Sequence, residues 1–434
     1  MAETVETAET TETVETVFRM ESARIIAGVA RIVRDVGIAE ELAQDALVAA
    51  LEQWPESGVP EKPGAWLMAT AKHRAIDLVR RKETYARKLA EVGRTLTDVP
   101  PPGSGDPEGA ADAGPEDSEG IDGIDGIDGI EDDLLRLIFT ACHPVLSTDA
   151  RIALTLRLLG GLTTQEIARA FLVAEPTVAQ RVVRAKRALA KAGVPFEVPG
   201  ATERAARLSS VLEVIYLIFN EGYSATAGAD LVRPTLCEDA LRLARVLTSL
   251  MPGEPEAHGL AALLEFQASR ITARTDSDGA PVLLADQDRA RWNRMLIRRG
   301  IEALHRAGHG PYAVQAAIAA CHAQAARYED TDWATIAALY GRLMALTPSP
   351  VVELNRAVAV SMAQGPAAAL PLVDALTDEP SLRGYHLLPS VRGDLLERLG
   401  RDDEARAEFA RAASLTRNDR EKALLLARAA PRAE

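Results

Sequence analysis

The sequence predicts an all-α protein, and three observations carry that expectation. Apolar residues recur at helical spacing through most of the chain. No stretch alternates apolar and polar residues for a useful length, so no half-buried strand is expected. The composition, 47% hydrophobic and 26% charged over 434 residues, is that of a soluble globular protein with enough apolar surface for two to four cores. No apolar run approaches the ~20 residues that span a bilayer. Met1–Thr16 is acidic and lacks the basic-then-apolar order of a signal peptide, which points to the cytoplasm. Cys142, Cys237 and Cys321 are odd in number and widely spaced, so neither a disulfide framework nor a CxxC metal pair is expected.

Residues 1–17 place Glu at 3, 6, 9, 12 and 15 with no basic residue, the pattern of a disordered acidic tail. Residues 18–90 form a helical bundle. Its first apolar series runs Ile25, Ile26, Val29, Ile32, Val33, Val36 and continues from Leu42 to Leu51. Pro55, Gly58, Pro60 and Pro63 interrupt it before a second helix from about Gly64 to Leu89. Residues 91–131 are rich in Pro, Gly, Asp and Glu and contain Ile-Asp-Gly three times, a composition that predicts a flexible acidic linker. Its Asp residues recur every third position rather than at the alternating positions of a calcium loop. Residues 132–195 are again helical. Residues 196–434 form a long Ala/Leu/Arg-rich helical extension, in which Leu208, Val211, Leu212, Ile215 and Phe219 mark a buried helix face. Near its end, Gln364-Gly365 and Leu399-Gly400 each precede a helix, some 35 residues apart. That period suggests tetratricopeptide-like helix pairs.

The net charge of −14 is unevenly placed. Residues 1–17 and 91–133 together carry eighteen net negative charges, so the remainder sums to +4. For nucleic-acid binding the local patch matters, not the total. The densest signal is LTTQEIARAFLVAEPTVAQRVVRAKRAL, residues 162–189. Thr163 or Thr164 suits a helix N-cap, with Glu166 in the first turn. Ile167, Ala168 and Phe171 make one apolar face. A short turn follows, and Pro176 suits the first position of a second helix. There Val178, Val182 and Leu189 face inward, while residues 176–191 hold five bases and no acid. This is the pattern of a helix-turn-helix, whose second helix enters a major groove. Thr177, Gln180, Arg181 and Arg184 are placed to reach base edges, and the later bases to meet phosphate.

A second basic helix, TAKHRAIDLVRRKETYARK at 70–88, has seven Lys or Arg against Asp77 and Glu83. It suits phosphate contact, or is a solvated face. Trp66 before it suits the core better than base stacking. GIAEELAQD at 37–45 has the opposite sign: Glu40, Glu41, Gln44 and Asp45 form an acidic and amide surface able to dock a basic partner.

Together, GIAEELAQDALVAALEQWP, KPGAWLMATAKHRAIDLVRRK and the helix-turn-helix resemble a bacterial RNA polymerase sigma factor of the extracytoplasmic-function (ECF) type. The later segments VLEVIYLIFNEGYSAT, LLADQDRARWNRMLI and TPSPVVELNRAVAV resemble the subgroup with a long C-terminal tetratricopeptide-like extension. The resemblance implies region 2 at 18–90, engaging the clamp helices of core polymerase through Glu41, Gln44 and Asp45. It implies that Lys72, His73, Arg74, Asp77, Arg80 and Arg81 face the −10 element. It implies region 4 at 132–195, seated on the polymerase flap, with Thr177, Ala179, Gln180, Arg181, Val183, Arg184 and Arg187 at the −35 element. Ala179 and Val183 offer no hydrogen bond, so readout there is apolar or absent. Promoter DNA and core polymerase are the implied partners, with a protein or ligand on the extension. No cofactor, metal or membrane contact is implied, and such factors do not catalyse.

Two alternatives stand beside this. One is a helix-turn-helix regulator that never joins polymerase, which would leave residues 37–88 without a role. The other is a hydrolase in the C-terminal half, which lacks a nucleophile, base and orienter set. Cys142-His143 and Cys321-His322 lack the spacing of a local zinc site. Asn220, Glu221 and Tyr223 either line a pocket or end a helix before a turn.

Overall fold

The computed structural model describes residues 2–97, 127–171, 173–225, 227–228 and 231–430. Most of the acidic linker expected at 91–131 lies outside them. The described part divides into two compact units, Met1–Thr163 with Arg181–Arg207, and Thr164–Gln180 with Leu208–Glu434. No helix among the described residues is long and apolar enough to cross a membrane.

The first unit holds α1 (Ala2–Val33), α2 (Val36–Ser57), α3 (Pro63–Thr97), α4 (Ile127–Ala141) and α5 (Thr148–Leu158). Helix α1 begins at Ala2, so residues 2–17 are helix rather than a disordered tail, and Val14 within them is fully buried. Arg34 ends α1 in the left-handed region (φ 54°), a place more often taken by glycine. Asp35 then caps α2, its Oδ1 accepting from Gly37 N at 2.7 Å and Ile38 N at 3.0 Å. Ile25, Ile26, Val29, Ala43, Ala46, Ala50, Trp54, Leu67, Ala71 and Ala75 make the core of this bundle. Trp66 packs edge-on against the buried Trp54, centroids 5.4 Å apart. Both flanks of the linker are helical: α3 continues to Thr97, and α4 starts at Ile127 despite Gly129 in its first turn.

Next come α6 (Thr164–Phe171) and α7 (Glu175–Lys191), the expected helix pair, with starts one residue from the sequence reading. In α7, Val178, Val182 and Leu189 are buried, as their spacing predicts. Helix α8 (Ala201–Tyr223) buries all five residues that marked its apolar face.

The extension continues through α9 (Pro234–Leu250), α10 (Pro255–Ala268), α11 (Arg294–Leu304), α12 (Pro311–Gln324) and α13 (Trp333–Leu346). It ends with α14 (Pro350–Gln364), α15 (Pro366–Asp374), α16 (Leu387–Arg398), α17 (Asp402–Leu415) and α18 (Asp419–Ala429). Gly365 (φ 94°) and Gly400 (φ 72°) stand at the two turns where the repeat spacing places them. Neighbouring helices pack in order, with Leu354, Leu370, Leu388, Leu396 and Phe409 in one shared core. The array also closes on itself. Strand β1 (Ala227–Gly228) pairs in parallel with β2 (Arg417–Asn418), and the buried Asn418 donates from Nδ2 to Ala225 O at 3.1 Å. A two-residue pairing is too short to leave any periodic trace in sequence.

Candidate polymerase and nucleic-acid interfaces

In α2, Glu41 and Asp45 are exposed one turn apart, as a docking face requires. Glu40, expected on the same acidic surface, is buried (5% exposed). Its Oε1 accepts from Arg157 Nε of α5 at 2.6 Å, and its Oε2 pairs with Lys186 Nζ of α7. Gln44 is drawn toward this clasp, donating from Nε2 to Glu40 Oε1 at 3.1 Å. A second buried carboxylate works alike. Asp133, in the helical stretch expected from 132, is 2% exposed and holds Arg136 at 2.5 Å and Arg31 of α1 at 3.2 Å. Buried charges persist where they are paired. These two carboxylates therefore tie α1 and α2 to α4, α5 and α7.

On α3, Leu67, Ala71 and Ala75 face the core. His73, Arg80 and Arg81 are exposed, while Lys72, Arg74 and Asp77 are half-buried. Arg74 lies 3.8 Å from Asp45, which brings one residue of the basic set beside one of the acidic set. Asp45 is exposed and Arg74 reaches solvent over 40% of its side chain, so the pair adds little stability. Tyr85 was not among the sequence-predicted residues. It is 69% exposed on the same helix, between Arg81 and Lys88. An aromatic set among bases was the available signal.

Along α7, Thr177, Gln180, Arg184 and Arg187 are exposed at steps of three, four and three, so they share one face. Val183 is 44% exposed beside them. Ala179 is half-buried. Arg181 is engaged with Asp149 at 3.1 Å, and Lys186 with Glu40, so neither extends the outer face unhindered.

The Asn220 cluster is a helix end, that of α8, and two of its three residues, Asn220 and Tyr223, also border a cavity of about 430 Å³ inside the extension. Glu221, between them, pairs with Arg233, whose guanidinium also donates to the carbonyl of Ala170 near the end of α6. Lysine or arginine at such carbonyls stabilises a helix end.

His322 borders the same cavity. Burial, reinforced by Arg270 and Arg289, lowers its pKa from 6.5 to about 4. The folded state thus resists a proton that the unfolded chain accepts below pH 6.5. Stability should fall as pH drops from 6.5 toward 4, by about 3 kcal/mol for this group. Thermal melting of His322→Gln against the parent at pH 7 and pH 4.5 checks this: the variant should lose less stability on acidification.

Cys142 is buried, its sulfur 3.4 Å from Thr155 Oγ1, and burial pushes its pKa up to about 11. Among the described residues no group of three His, Cys, Asp or Glu side chains is placed to hold a metal ion.

Residues 17–84 match the family described as Sigma-70 region 2, and residues 136–189 the family described as Sigma-70, region 4. Residues 207–308 match a family of unknown function, DUF6596. The chain is 45% identical over 399 residues to uncharacterized protein R00370 of Rhizobium meliloti (strain 1021), covering 91% of this chain and 90% of that one. Over 82 residues it is 33% identical to the ECF RNA polymerase sigma factor SigK of Mycobacterium sp. (strain KMS), covering 18% of this chain and 41% of that one. The chain belongs to the family of the Rhizobium protein, and its two sigma-70 regions make it an RNA polymerase sigma factor with a long helical extension.

Proposed function

We propose that the protein docks on core polymerase through Glu41, Gln44 and Asp45, reads the −10 element with α3 and the −35 element with α7, and is regulated through its extension. The observation that carries this is the outer face of α7, where Thr177, Gln180, Arg184 and Arg187 stand exposed opposite the buried Val178, Val182 and Leu189. A polar N-terminal half and a basic C-terminal half on one face suit base edges and phosphates in turn. A regulator that never joins polymerase gives the exposed Glu41 and Asp45 nothing to do. In vitro transcription with purified core polymerase and mapped start sites tests the proposal. Starts that appear at fixed sequences only when the protein is added support it, and unchanged transcription rejects it.

The two DNA elements lie about 25 base pairs apart, or ~85 Å along a duplex. In the clasped unit Lys186 touches Glu40, and Asp45, on the same helix, touches Arg74. The two basic faces are thus within roughly 30 Å of each other, judged from helix rise and side-chain length. Both can be engaged only after the Glu40 and Asp133 clasps open.

On α3, Tyr85 offers a stacking surface to an unpaired base. Tyr85→Ala should weaken binding of a −10 single strand by the polymerase complex by about tenfold, since base–aromatic stacking is worth about 1–3 kcal/mol. Tyr85→Phe should retain it. Fluorescence anisotropy of a labelled oligonucleotide measures both.

Regulation through the extension is supported by Arg233, which joins Glu221 to α6. Arg233→Ala should change promoter-directed transcription several-fold while leaving polymerase affinity unchanged. Equal transcript yield from parent and variant would count against this route. The paired helices from α14 to α17 support a tetratricopeptide-like reading of that stretch.

A further inference from the structure

The cavity inside the extension is lined by helices α8, α10, α12, α13 and α14 and by the segment carrying Trp292. Its volume lies in the range of small-molecule sites. Its walls mix aromatic side chains, Tyr216, Tyr223, Trp292 and Tyr340 among them, with aliphatic ones such as Leu263 and Val352, and the amides of Gln267 and Gln315 lie between them. Among the described residues no Asp or Glu borders it, and Arg270 does.

Arg270 is half-buried. Its Nε donates to Tyr223 Oη at 2.5 Å, and its guanidinium lies 5.7 Å from the Tyr223 ring centroid and 5.9 Å from that of Trp292. No carboxylate among the described residues pairs with it. Half-buried guanidinium groups are ordinarily matched by an anion, because taking the charge from water costs more than aromatic faces return. Arg245 holds Glu265 at 2.8 Å and Arg392 holds Asp374 at 2.8 Å, while Arg274 and Arg289 near Arg270 are held by backbone carbonyls, Tyr223 O and those of His322 and Ala325. The buried indole N–H of Trp292 also has no acceptor among the described residues.

We infer that this cavity binds a small planar organic monoanion, an aromatic carboxylate, with the carboxylate on Arg270 and the ring between the tyrosine and tryptophan faces. Among the described residues Arg270 is the one Lys or Arg that borders the cavity, and it matches one negative charge. Several aromatic walls favour a flat apolar body over a sugar or a bare ion. The carboxylate takes the terminal N–H donors of the guanidinium as a fork, the geometry that Arg supplies and Lys does not.

The inference rests on the cavity and deepens the reading of the extension as regulatory. It is tested without polymerase or DNA, so its failure would leave promoter recognition standing. Calorimetric titration of the full chain with 2-naphthoate and with 2-naphthamide, two probes of one shape, should show saturable one-to-one binding of the acid. The acid should bind at least about tenfold tighter than the amide, as expected for a charge-assisted pair. Arg270→Gln should bring the two affinities together, while Arg299→Gln, an exposed site away from the cavity, should leave the preference intact. Equal binding of acid and amide, or no binding of the acid at 1 mM, would overturn the proposal. So would displacement of the acid by inorganic phosphate alone, which would mark a bare anion site. The acid-to-amide comparison uses the unaltered chain and decides the matter even where Arg270→Gln fails to fold.

Discussion

Glu40→Gln should lower the stability of the unit built from α1–α5 and the C-terminal part of α7 by about 3 kcal/mol, and its melting temperature by roughly 5–10 °C. The carboxylate is almost wholly buried and serves two cations, Arg157 and Lys186, each only a fifth exposed at the side chain. An amide keeps the shape but leaves both cations facing a dipole, and the cost of an unmatched buried charge exceeds that of losing a surface pair severalfold. Glu41→Gln, one residue away and exposed, should shift melting by no more than about 0.5 kcal/mol. The two variants should separate again on polymerase. Glu41→Gln should weaken binding, because it removes a charge offered to the partner. Glu40→Gln should bind as well as the parent or better, because the clasp that must open is already weakened. Differential scanning calorimetry and a pull-down with core polymerase measure both halves. Equal melting of parent and Glu40→Gln would show that the clasp carries no stability.

That clasp marks where sequence reasoning stops. Short-range information placed α6 and α7 to within a residue, because capping, turn and helical period act over a few positions. The same logic picked out the buried side of α7 and that of α8. Glu40 shares its pattern with Glu41 and Asp45, and what buries it is two cations more than a hundred residues away in sequence. Asp133, at the start of the helical stretch from 132, counts in the sequence only as one more acid in the charge of 91–133, since composition does not reveal which carboxylate has a partner. In the extension, Asn220 and Tyr223 stood out as polar residues ending an apolar helix. Arg270 and Trp292 did not, and His322 drew notice only beside Cys321 as a metal ligand, because each lies on a different segment and only the folding of the array brings them to one cavity. Residues 2–17 show the converse limit: a composition poor in apolar residues still continues a helix, with Val14 buried.

The end of α8 joins two features that sequence treats as unrelated. Asn220 and Tyr223 border the cavity, and Glu221 holds the arginine that reaches the end of α6. Any displacement of this last turn is felt on both sides, because a packed helix end moves as one body. Coupling in such a case is a difference in affinity between two states and works in both directions. It is therefore measurable from either end, as an effect of Arg233→Ala on 2-naphthoate affinity as well as on transcription.

The largest functional loss should come from Arg184→Glu combined with Arg187→Glu. Both side chains are exposed on the outer face of α7, one turn apart, and among the described residues neither has the ion-pair partner that Arg181 and Lys186 have. Reversing them removes two phosphate contacts and adds two repulsions. Affinity for promoter duplex should fall by about a hundredfold or more near physiological salt, and the dependence of log affinity on log salt should become shallower by about two. The fold should survive, since the buried face of Val178, Val182, Ala185 and Leu189 is untouched. Gln180→Ala should behave differently. An amide that reads a base edge contributes discrimination of about 1–3 kcal/mol at one position and carries no charge. Its loss should relax sequence preference there while leaving the salt dependence unchanged. The contrast separates a helix that reads DNA from one that is merely basic. A solvated basic face would lose affinity with Arg184→Glu and Arg187→Glu, yet would show no change in sequence preference with Gln180→Ala.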